Sequence, residues 1–434
     1  MKGTNNDQLF DRRAQVVSNG VGIFVNSSVK SAQNSIIESY DGQSFIDFGG
    51  GIGVLNAGHC PPPVVEAIKA QAEKLIHSCF HISTYESYIE LCEMLVKLFP
   101  HGEETKAMLT NTGAESVENA IKIARQATKR QAVLCFTDSF HGRSMMGMTL
   151  TSKIDYKIDC GPFAPEVYRL PFPNFYRYGM GLTEDEFVDR ELKKLHESSK
   201  NLVDVNNVAA VIIELVQGEG GFNPAPQKYI EGLRAFCDKH GIVLIFDEVQ
   251  SGFCRTGKWA AYQHYDVTPD LSTWAKSMGS GMPIGAVIGK KEIMDAAKPG
   301  TIGGTYLGNP VCCAAAIATI KYMEEIDLNA KANKLASIVL ERFTALKEKC
   351  PSIGDVRGLG SMQAIEFVKE GNPQLPDTET CSKLTTACLS RGLIILSAGT
   401  FKNVIRILSP LTISEETLNQ GLDIIEEELL IITK

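Results

Sequence analysis

The fold is decided by residues 241–285, which read GIVLIFDEVQSGFCRTGKWAAYQHYDVTPDLSTWAKSMGSGMPIG. The apolar run at 242–246 predicts a buried parallel strand that stops at Asp247. A second apolar run at 271–275 ends at Lys276, and the glycines that follow let the backbone turn sharply away. Because open α/β sheets bind ligands at the carboxyl ends of their strands, we expect Asp247 and Lys276 to face the same pocket.

A lysine amine and a carboxylate in one pocket are the pair that pyridoxal phosphate needs. The amine forms a Schiff base with the aldehyde, and the acid keeps the ring nitrogen protonated. Each residue also has an ordinary interpretation. A lysine after a strand is usually a solvated surface charge, and an aspartate at a strand end is usually a helix cap or turn former. The pair therefore gains its weight only from the rest of the sequence.

Composition excludes several classes of protein. The 434 residues predict two or three packed units, at roughly 100 to 200 residues per domain. A net charge of −8 without a basic block argues against a nucleic-acid or anionic-membrane surface. No apolar run reaches the ~18 residues of a membrane helix. The N-terminus lacks a signal-peptide core and the 12 cysteines include no CxxC pair, so we expect reduced thiols in a cytoplasmic protein.

The order of apolar and amphipathic stretches predicts a parallel sheet with helices on both faces between residues 106 and 249. One strand feeds a helix through residues 111–114, whose backbone N–H groups could hold a phosphate at the helix N-terminus. Asp41-Gly42 predicts a hairpin between the apolar pairs at 36–37 and 45–46. From residue 353 the pattern becomes α+β, with a helix predicted at 378–390, one strand at 393–396 and a closing helix from Ser414. We place a domain boundary near residue 325.

Two patterns resemble known motifs but lack their essential residues. Residues 252–258 fit GxxxxGK, yet Trp259 stands where a P-loop carries the serine or threonine that binds magnesium. His77 and His81 lie four apart and could bind a metal from one helix face. No glutamate of an HExxH motif lies between them, and no acidic third ligand is near, so we expect no metal site.

Six segments, taken in order, resemble the class III (omega) aminotransferases, which are pyridoxal-phosphate enzymes of fold type I. They are TGAE at 112–115, FHGR at 140–143, a glutamate at 214 with QGEGG at 217–221, DEVQSG at 247–252, AKS at 275–277 and GGT at 303–305. The resemblance covers nearly the whole chain and is weakest in residues 1–20. Within the class it is greatest to the 4-aminobutyrate type.

The resemblance implies an α/β fold of two domains. A large domain with a mostly parallel seven-stranded sheet flanked by helices would span residues 61–325 and bind pyridoxal 5′-phosphate. A smaller α+β domain would comprise residues 326–434, with the N-terminal segment 1–60 packed against it. The resemblance also implies a homodimer, or a dimer of dimers, with shared active sites.

Roles for the residues around the cofactor follow from the same resemblance. Lys276 would form the Schiff base and then act as the general base. Asp247 would pair with the pyridine nitrogen. Phe140 and Val249 would pack on the two faces of the ring, and Gln250 would hydrogen-bond the ring hydroxyl.

The resemblance also assigns the phosphate site. The N–H groups of Gly113 and Ala114 would hold the phosphate, and Thr305 would reach it from a neighbouring subunit. Two positions depart from the pattern of the family: Ser116 stands where many relatives have alanine, and Trp274 where phenylalanine is frequent.

Substrate choice is implied to depend on two arginines. Arg143 resembles the residue that grips the distal carboxylate of 4-aminobutyrate, with Ile52 shaping that end of the pocket. Arg406 resembles the residue that binds the α-carboxylate of glutamate and 2-oxoglutarate. Glu219 would pair with Arg406 and swing away when glutamate arrives, and Glu214 belongs to the same set of substrate-binding residues.

The leading hypothesis is a ping-pong transamination, through pyridoxamine phosphate, of 4-aminobutyrate with 2-oxoglutarate to give succinate semialdehyde and glutamate. The donors 5-aminovalerate, β-alanine and ornithine remain alternatives, although ornithine enzymes usually carry an aromatic residue where Ile52 lies. A pyridoxal-phosphate racemase or epimerase of the same fold is a second class. A cofactor-sensing regulator is a third, but no basic helix-turn-helix extension precedes residue 60.

Overall fold

A computed structural model describes residues 5–434 of the chain. The N-terminal segment contains α1 (Asn6–Val16), β1 (Ser31–Gln33), β2 (Ile36–Glu38), β3 (Ser44–Asp47) and α2 (Gly50–Gly53). The predicted hairpin is confirmed, because β2 and β3 pair antiparallel with Ile36 opposite Ile46. In residues 5–434 no helix has the length and apolar character to cross a membrane.

The middle of the chain alternates strands and helices, as the sequence predicts. The elements are α3 (Pro62–Ala72), α4 (Glu86–Leu98), β4 (Thr105–Thr110), α5 (Gly113–Thr128), β5 (Ala132–Phe136), α6 (Met145–Leu150), β6 (Val167–Leu170), α7 (Phe175–Tyr178), α8 (Glu184–Asn201), β7 (Val208–Ile213), β8 (Val216–Gln217), β9 (Asn223–Pro224), α9 (Gln227–His240), β10 (Val243–Asp247), β11 (Leu271–Trp274), β12 (Gly285–Lys290), α10 (Lys291–Met294) and α11 (Pro310–Glu325).

Seven of these strands form one sheet in the order β4–β12–β11–β10–β7–β5–β6. The strands from β11 to β6 pair in parallel, whereas β12 runs antiparallel to both of its neighbours. The predicted α/β architecture with a mostly parallel seven-stranded sheet is therefore confirmed. The sequence did not predict β12, since Gly285 and Gly289 weaken a strand pattern. A Cβ atom at Gly289 would lie only 2.2 Å from Leu271 Cδ2, so close packing requires glycine there.

Both faces of this sheet are covered by apolar side chains. Alternate residues of β10 enter two different clusters: Val243 and Ile245 pack with residues of α5, whereas Leu244 and Phe246 belong to the larger cluster on the other face. Successive side chains of a strand point to opposite faces. The unbroken apolar run of β10 is thus explained by burial on both sides, and it brings Asp247 to the edge of the core.

The C-terminal part of the chain adds two further layers. Its elements are α12 (Leu328–Lys349), β13 (Ile353–Leu359), β14 (Met362–Phe367), α13 (Thr378–Ser390), β15 (Leu393–Ile394), β16 (Leu396–Ala398), β17 (Val404–Ile407) and α14 (Glu415–Ile432). One four-stranded sheet has the order β13–β14–β17–β16, and a second has the order β1–β2–β3–β15.

The prediction of a single strand at 393–396 was wrong. Leu393 and Ile394 pair in parallel with Ile46 and Asp47 of the N-terminal segment. From Leu396 onward the chain pairs antiparallel with β17 instead. The run divides because its two halves pair in different sheets: the first half pairs with β3, which is distant in sequence, and the second half pairs with β17, which follows it after a short connection.

Candidate active site

A cavity of about 510 Å³ opens at the carboxyl ends of β10 and β11. Asp247 closes the first strand, and Lys276 follows the second by two residues. The two strands are neighbours in parallel register, with Asp247 opposite Thr273. Both side chains line the cavity. The structure therefore brings together the acid and the amine from which the sequence interpretation started.

Asp247 is held in place by a histidine that the sequence interpretation did not assign to the site. Asp247 is 5% exposed, and its Oδ2 lies 2.7 Å from Nδ1 of His141, whose side chain is fully buried. Oδ1 accepts a hydrogen bond of 3.1 Å from the N–H of Val249. One carboxylate oxygen thus has an imidazole partner and the other a backbone partner, which fixes the plane of the carboxyl group.

Lys276 occupies a restricted backbone position. Its φ angle is +48°, in the left-handed region where residues other than glycine are uncommon, and it starts a 3₁₀ turn that ends at Gly279. The hydroxyl of Ser277 donates a 3.1 Å hydrogen bond to the carbonyl of Gly53. Burial lowers the pKa of the Lys276 amine to about 8, although Glu219 opposes this shift. The lowered pKa makes more of the amine neutral near neutral pH than in an ordinary lysine, which suits an amine that must act as nucleophile and base.

The N-terminus of α5 forms the next wall of the cavity. Thr112 caps the helix by accepting a 3.2 Å hydrogen bond from the N–H of Glu115. The N–H groups of Gly113 and Ala114, in the first turn, have no acceptor within the helix and line the cavity. A Cβ atom at Gly113 would lie 2.8 Å from Cγ1 of Val249, so only glycine allows this approach. Such a helix end is an anion site.

The two departures from the family pattern, Ser116 and Trp274, both stabilise the floor beneath this helix end. The Ser116 hydroxyl lies 2.7 Å from Oγ1 of Thr110 and donates to the carbonyl of Trp274 at 3.0 Å. The Trp274 indole is fully buried, stacks on Phe99 at 4.0 Å and donates its N–H to Ser272 at 2.7 Å. The serine and the tryptophan therefore tie α5 to the strand that leads to the lysine.

Three buried polar atoms of residues that line the cavity have no hydrogen-bond partner within residues 5–434: Nε2 of His141, Oγ of Ser144 and Oε1 of Gln250. Buried polar atoms without partners are costly, which indicates that a ligand supplies the missing groups. Together with an amine that lines the cavity, a carboxylate and a helix N-terminus, these atoms fit pyridoxal 5′-phosphate.

Glu214 joins two loops at the edge of the cavity. One carboxylate oxygen accepts the N–H of Phe140 at 2.8 Å, and the other accepts the N–H of Gly218 at 2.8 Å. Burial raises the pKa of Glu214 to about 7, although these two hydrogen bonds oppose the shift. Because its oxygens already have backbone partners, a contact between Glu214 and substrate stays a prediction.

The predicted ion pair between Arg406 and Glu219 is formed. Arg406 lies on β17 and is 2% exposed; its Nη2 is 2.7 Å from Oε1 of Glu219. Its Nη1 donates to the carbonyl of Gly218 at 3.0 Å. Burial opposes ionisation of Glu219, but Arg406, Lys276 and Lys153 together bring its pKa below the ordinary value. Glu219, which lines the cavity, thus neutralises the buried Arg406, which does not line it.

The remaining predicted residues lie at the rim or outside it. Arg143 is exposed, lines the cavity and has its guanidinium carbon 5.9 Å from the ring centre of Tyr156. Ile52 is 38% exposed and adopts φ +65° in the glycine turn, but it does not line the cavity of its own chain. Thr305 lies on an exposed segment and does not line that cavity either. A role for Thr305 in a neighbouring subunit stays a prediction.

Sequence reasoning missed four features in and around this cavity: His141, Ser144, Tyr156 and the segment 281–284. His141 and Ser144 flank residues that were singled out, and a histidine directly after Phe140 at a strand end was the available signal for the first. Tyr156, which packs edge-on against Phe140 at 5.3 Å, comes from a 3₁₀ turn that no pattern indicated. The cavity also reaches residues 281–284.

Comparisons with known proteins agree with this chemistry. The family model described as "Aminotransferase class-III" matches residues 17–429. The protein of Bacillus subtilis (strain 168) named "Probable 4-aminobutyrate aminotransferase" is 45% identical to this chain over 97% of each. The 5-aminovalerate aminotransferase of Pseudomonas putida is 44% identical over 97% of this chain and 98% of its own length.

A solved structure shows the same architecture with ligands bound. The taurine:2-oxoglutarate aminotransferase from Bifidobacterium kashiwanohense, in complex with PLP and glutamate, has a TM-score of 0.92 to this chain. The two are 28% identical, and the match covers 100% of this chain and 99% of that one. The shared fold thus extends over all of the elements that build the cavity.

Proposed function

The chain belongs to the class-III aminotransferases, and from that membership we propose that it transfers the amino group of 4-aminobutyrate to 2-oxoglutarate, giving succinate semialdehyde and glutamate. It is a pyridoxal 5′-phosphate-dependent ω-amino-acid aminotransferase. One observation carries the finer proposal: Arg143 faces the cavity openly, whereas Arg406 is buried and closed by Glu219. The accessible Arg143 suits a substrate with a single carboxylate. The additional arginine, paired with Glu219, suits a second substrate that carries two carboxylates.

Pyridoxal phosphate supplies an aldehyde that exchanges an amino group and a ring that draws electrons from the reacting carbon. Lys276 would bind the aldehyde, Gly113 and Ala114 the phosphate, and Gln250 the ring hydroxyl. Phe140 and Val249 would pack against opposite ring faces. Such packing would fix the orientation of the ring relative to the substrate and so would decide which substrate bond reacts.

Lys276 moves the proton in this proposal. Once free of the aldehyde, Lys276 would act as the general base. Its amine lines the cavity and burial lowers its pKa to about 8, so it would take a proton from the substrate carbon that carries the amino group. The left-handed backbone at Lys276 keeps the amine directed into the cavity rather than along the next helix.

Asp247, held by His141, would keep the ring of the cofactor electron-poor, because a carboxylate opposite the ring nitrogen would favour protonation of that nitrogen. The bond of 2.7 Å from His141 holds the carboxylate in one orientation, so the acid costs no reorganisation during the reaction.

The two arginines would serve the two half-reactions. Arg143 would bind the only carboxylate of 4-aminobutyrate, with Ile52 limiting the length of the donor. Glu219 would keep Arg406 neutralised during that half-reaction, since an unpaired buried charge is costly. Glutamate would bring its α-carboxylate to Arg406, and Glu219 would turn away.

Assembly and domain division belong to the same proposal. Thr305 of a neighbouring subunit would complete the phosphate site, which makes a homodimer the smallest active unit. The division into 1–60, 61–325 and 326–434 is supported by the pairing of β3 with β15, which joins the N-terminal segment to the C-terminal part.

A second candidate donor is 5-aminovalerate. It differs from 4-aminobutyrate by one methylene, and a relative at 44% identity carries the name 5-aminovalerate aminotransferase. A difference of one methylene is worth about 1–3 kcal/mol at most, so both donors would react at measurable rates. Kinetics with 4-aminobutyrate, 5-aminovalerate and β-alanine would rank them.

Replacing Arg143 tests the assignment of the carboxylates. We expect Arg143→Ala to lower kcat/KM for 4-aminobutyrate by roughly 10- to 100-fold more than for glutamate, because a charge-assisted hydrogen-bonded contact contributes about 1.5–3 kcal/mol. Glutamate keeps its contact with Arg406 and so serves as the internal control. Single-turnover rates for each substrate alone measure the two values. Equal losses for both substrates would remove the distal role of Arg143.

A further inference from the structure

The segment that carries Glu219 is held from the C-terminal part of the chain. We call residues 217–222 the Glu219 loop. Three of its carbonyl groups accept hydrogen bonds from residues beyond 350: that of Gly218 from Arg406 at 3.0 Å, that of Glu219 from the N–H of Gly399 at 2.9 Å, and that of Gly221 from Arg357. The loop lies between β8 and β9, yet its backbone is fixed by the β13–β14–β17–β16 sheet.

Arg357 makes the strongest of these contacts. Its Nε and Nη2 both donate to the carbonyl of Gly221, at 3.0 and 2.7 Å. Its Nη1 lies 2.7 Å from Glu366 and 3.0 Å from Asp355. All three nitrogens of the guanidinium are therefore engaged, and the side chain is only 10% exposed. The planar fork of an arginine is the one side chain that can do this.

Gly221 is confined by neighbouring side chains on two sides. Its φ angle is +106°, and a Cβ atom there would lie 3.0 Å from Cγ2 of Val404 and 3.2 Å from Nη2 of Arg357. Val404 precedes Arg406 by two residues on β17. The loop backbone and the arginine that Glu219 neutralises are thus fixed to the same strand.

We propose that Arg357 is a positioning residue that keeps the backbone of the Glu219 loop still, so that only the side chain of Glu219 moves when substrates alternate. This inference rests on the proposed function, in which Glu219 covers Arg406 for the ω-amino donor and leaves it for glutamate. If the whole loop shifted, the hydrogen bond from Arg406 to the carbonyl of Gly218 and the packing of Gly221 against Val404 would be lost. Arg357 therefore sets how well the site distinguishes a monocarboxylate donor from glutamate.

The variant Arg357→Lys tests the inference in the cofactor-loaded enzyme. Lysine keeps a positive charge beside Glu366 and Asp355, but a single ammonium cannot make the forked contact with Gly221. We expect the ratio of kcat/KM for 4-aminobutyrate to that for glutamate to fall about 5-fold, because a looser loop leaves Arg406 uncovered and able to capture the wrong carboxylate. Hydrogen–deuterium exchange of residues 217–222 should also rise, with or without cofactor. An unchanged ratio of the two kcat/KM values, including equal losses for both substrates, would overturn the inference. Unchanged hydrogen–deuterium exchange of residues 217–222 would also overturn it.

Three further variants separate the possible explanations. Arg342→Lys is the matched control. Arg342 also binds two acidic side chains, Glu426 and Asp423, but it lies on a helix away from the cavity. This variant should leave the ratio unchanged. Glu219→Gln should lower the ratio by itself. If Glu219→Gln lowers it and Arg357→Lys does not, the positioning role is wrong and the ion-pair exchange stands; if neither does, the proposed exchange fails. Should Arg357→Lys fold poorly, Gly221→Ala displaces the same carbonyl and must lower the ratio.

Discussion

Lys276→Ala is expected to abolish transamination, with kcat lower by about 10⁴-fold or more in both half-reactions. A positioned general base alone contributes typically about 10²–10⁴-fold, and the same amine also provides covalent attachment of the cofactor. The partly buried lysine lines the cavity, and no second lysine lines that cavity within residues 5–434. A neighbouring amine therefore cannot take over its role.

The attachment itself can be measured without turnover. After reduction with borohydride and digestion, the peptide containing Lys276 should carry the mass of the cofactor in the parent protein and in the control Lys106→Ala, whose lysine is exposed and paired with Asp295. Lys276→Ala should show no modified peptide. Covalent cofactor on any other lysine of the parent protein would refute the assignment.

Asp247→Asn should slow both half-reactions by a similar factor of about 10²–10³, the usual cost of removing one preorganised electrostatic group. The amide has nearly the same shape, and its oxygen can still accept the N–H of Val249, whereas its NH2 group then faces Nδ1 of His141 and can only donate to it. What it loses is the negative charge opposite the ring nitrogen. The loss should therefore appear in kcat, with KM for each substrate little changed.

A histidine variant provides the comparison for this effect. His141→Asn keeps an N–H donor near Asp247 but not the length of the imidazole, and a loss of only about 10-fold is expected because the charge remains. Single-turnover rates of each variant, measured by rapid mixing with glutamate alone and with 4-aminobutyrate alone, give the loss caused by each substitution. An Asp247→Asn protein with nearly the parent kcat would show that the carboxylate does not face the ring nitrogen.

Local sequence patterns were sufficient for much of the fold. The helix predicted at 378–390 is observed as Thr378–Ser390, capped by Asp377, and Ser414 caps the last helix, as its position before an apolar pattern predicts. The buried strands at the centre of the sheet were found because apolar runs bounded by polar residues are explicit in the sequence. These elements depend on residues close to one another along the chain.

The features that were missed depend on distant partners. The run at 393–396 divides because its first half pairs with residues 46–47. The contact between His141 and Asp247 joins residues 106 positions apart, and that between Arg357 and Gly221 joins residues 136 positions apart. No local pattern encodes such contacts, although the types of residue that could line the cavity were visible in the motifs. The sequence therefore indicated the chemistry of the site more fully than the supports that hold it.

The most direct measurement follows the cofactor when one substrate is added at a time to the loaded wild-type protein. Glutamate alone should convert all of the bound cofactor to its amino form and release one 2-oxoglutarate per active site, and 4-aminobutyrate alone should do the same with release of succinate semialdehyde. A cofactor that keeps its aldehyde form with both substrates, or glutamate that is only racemised, would contradict aminotransferase activity at this cavity.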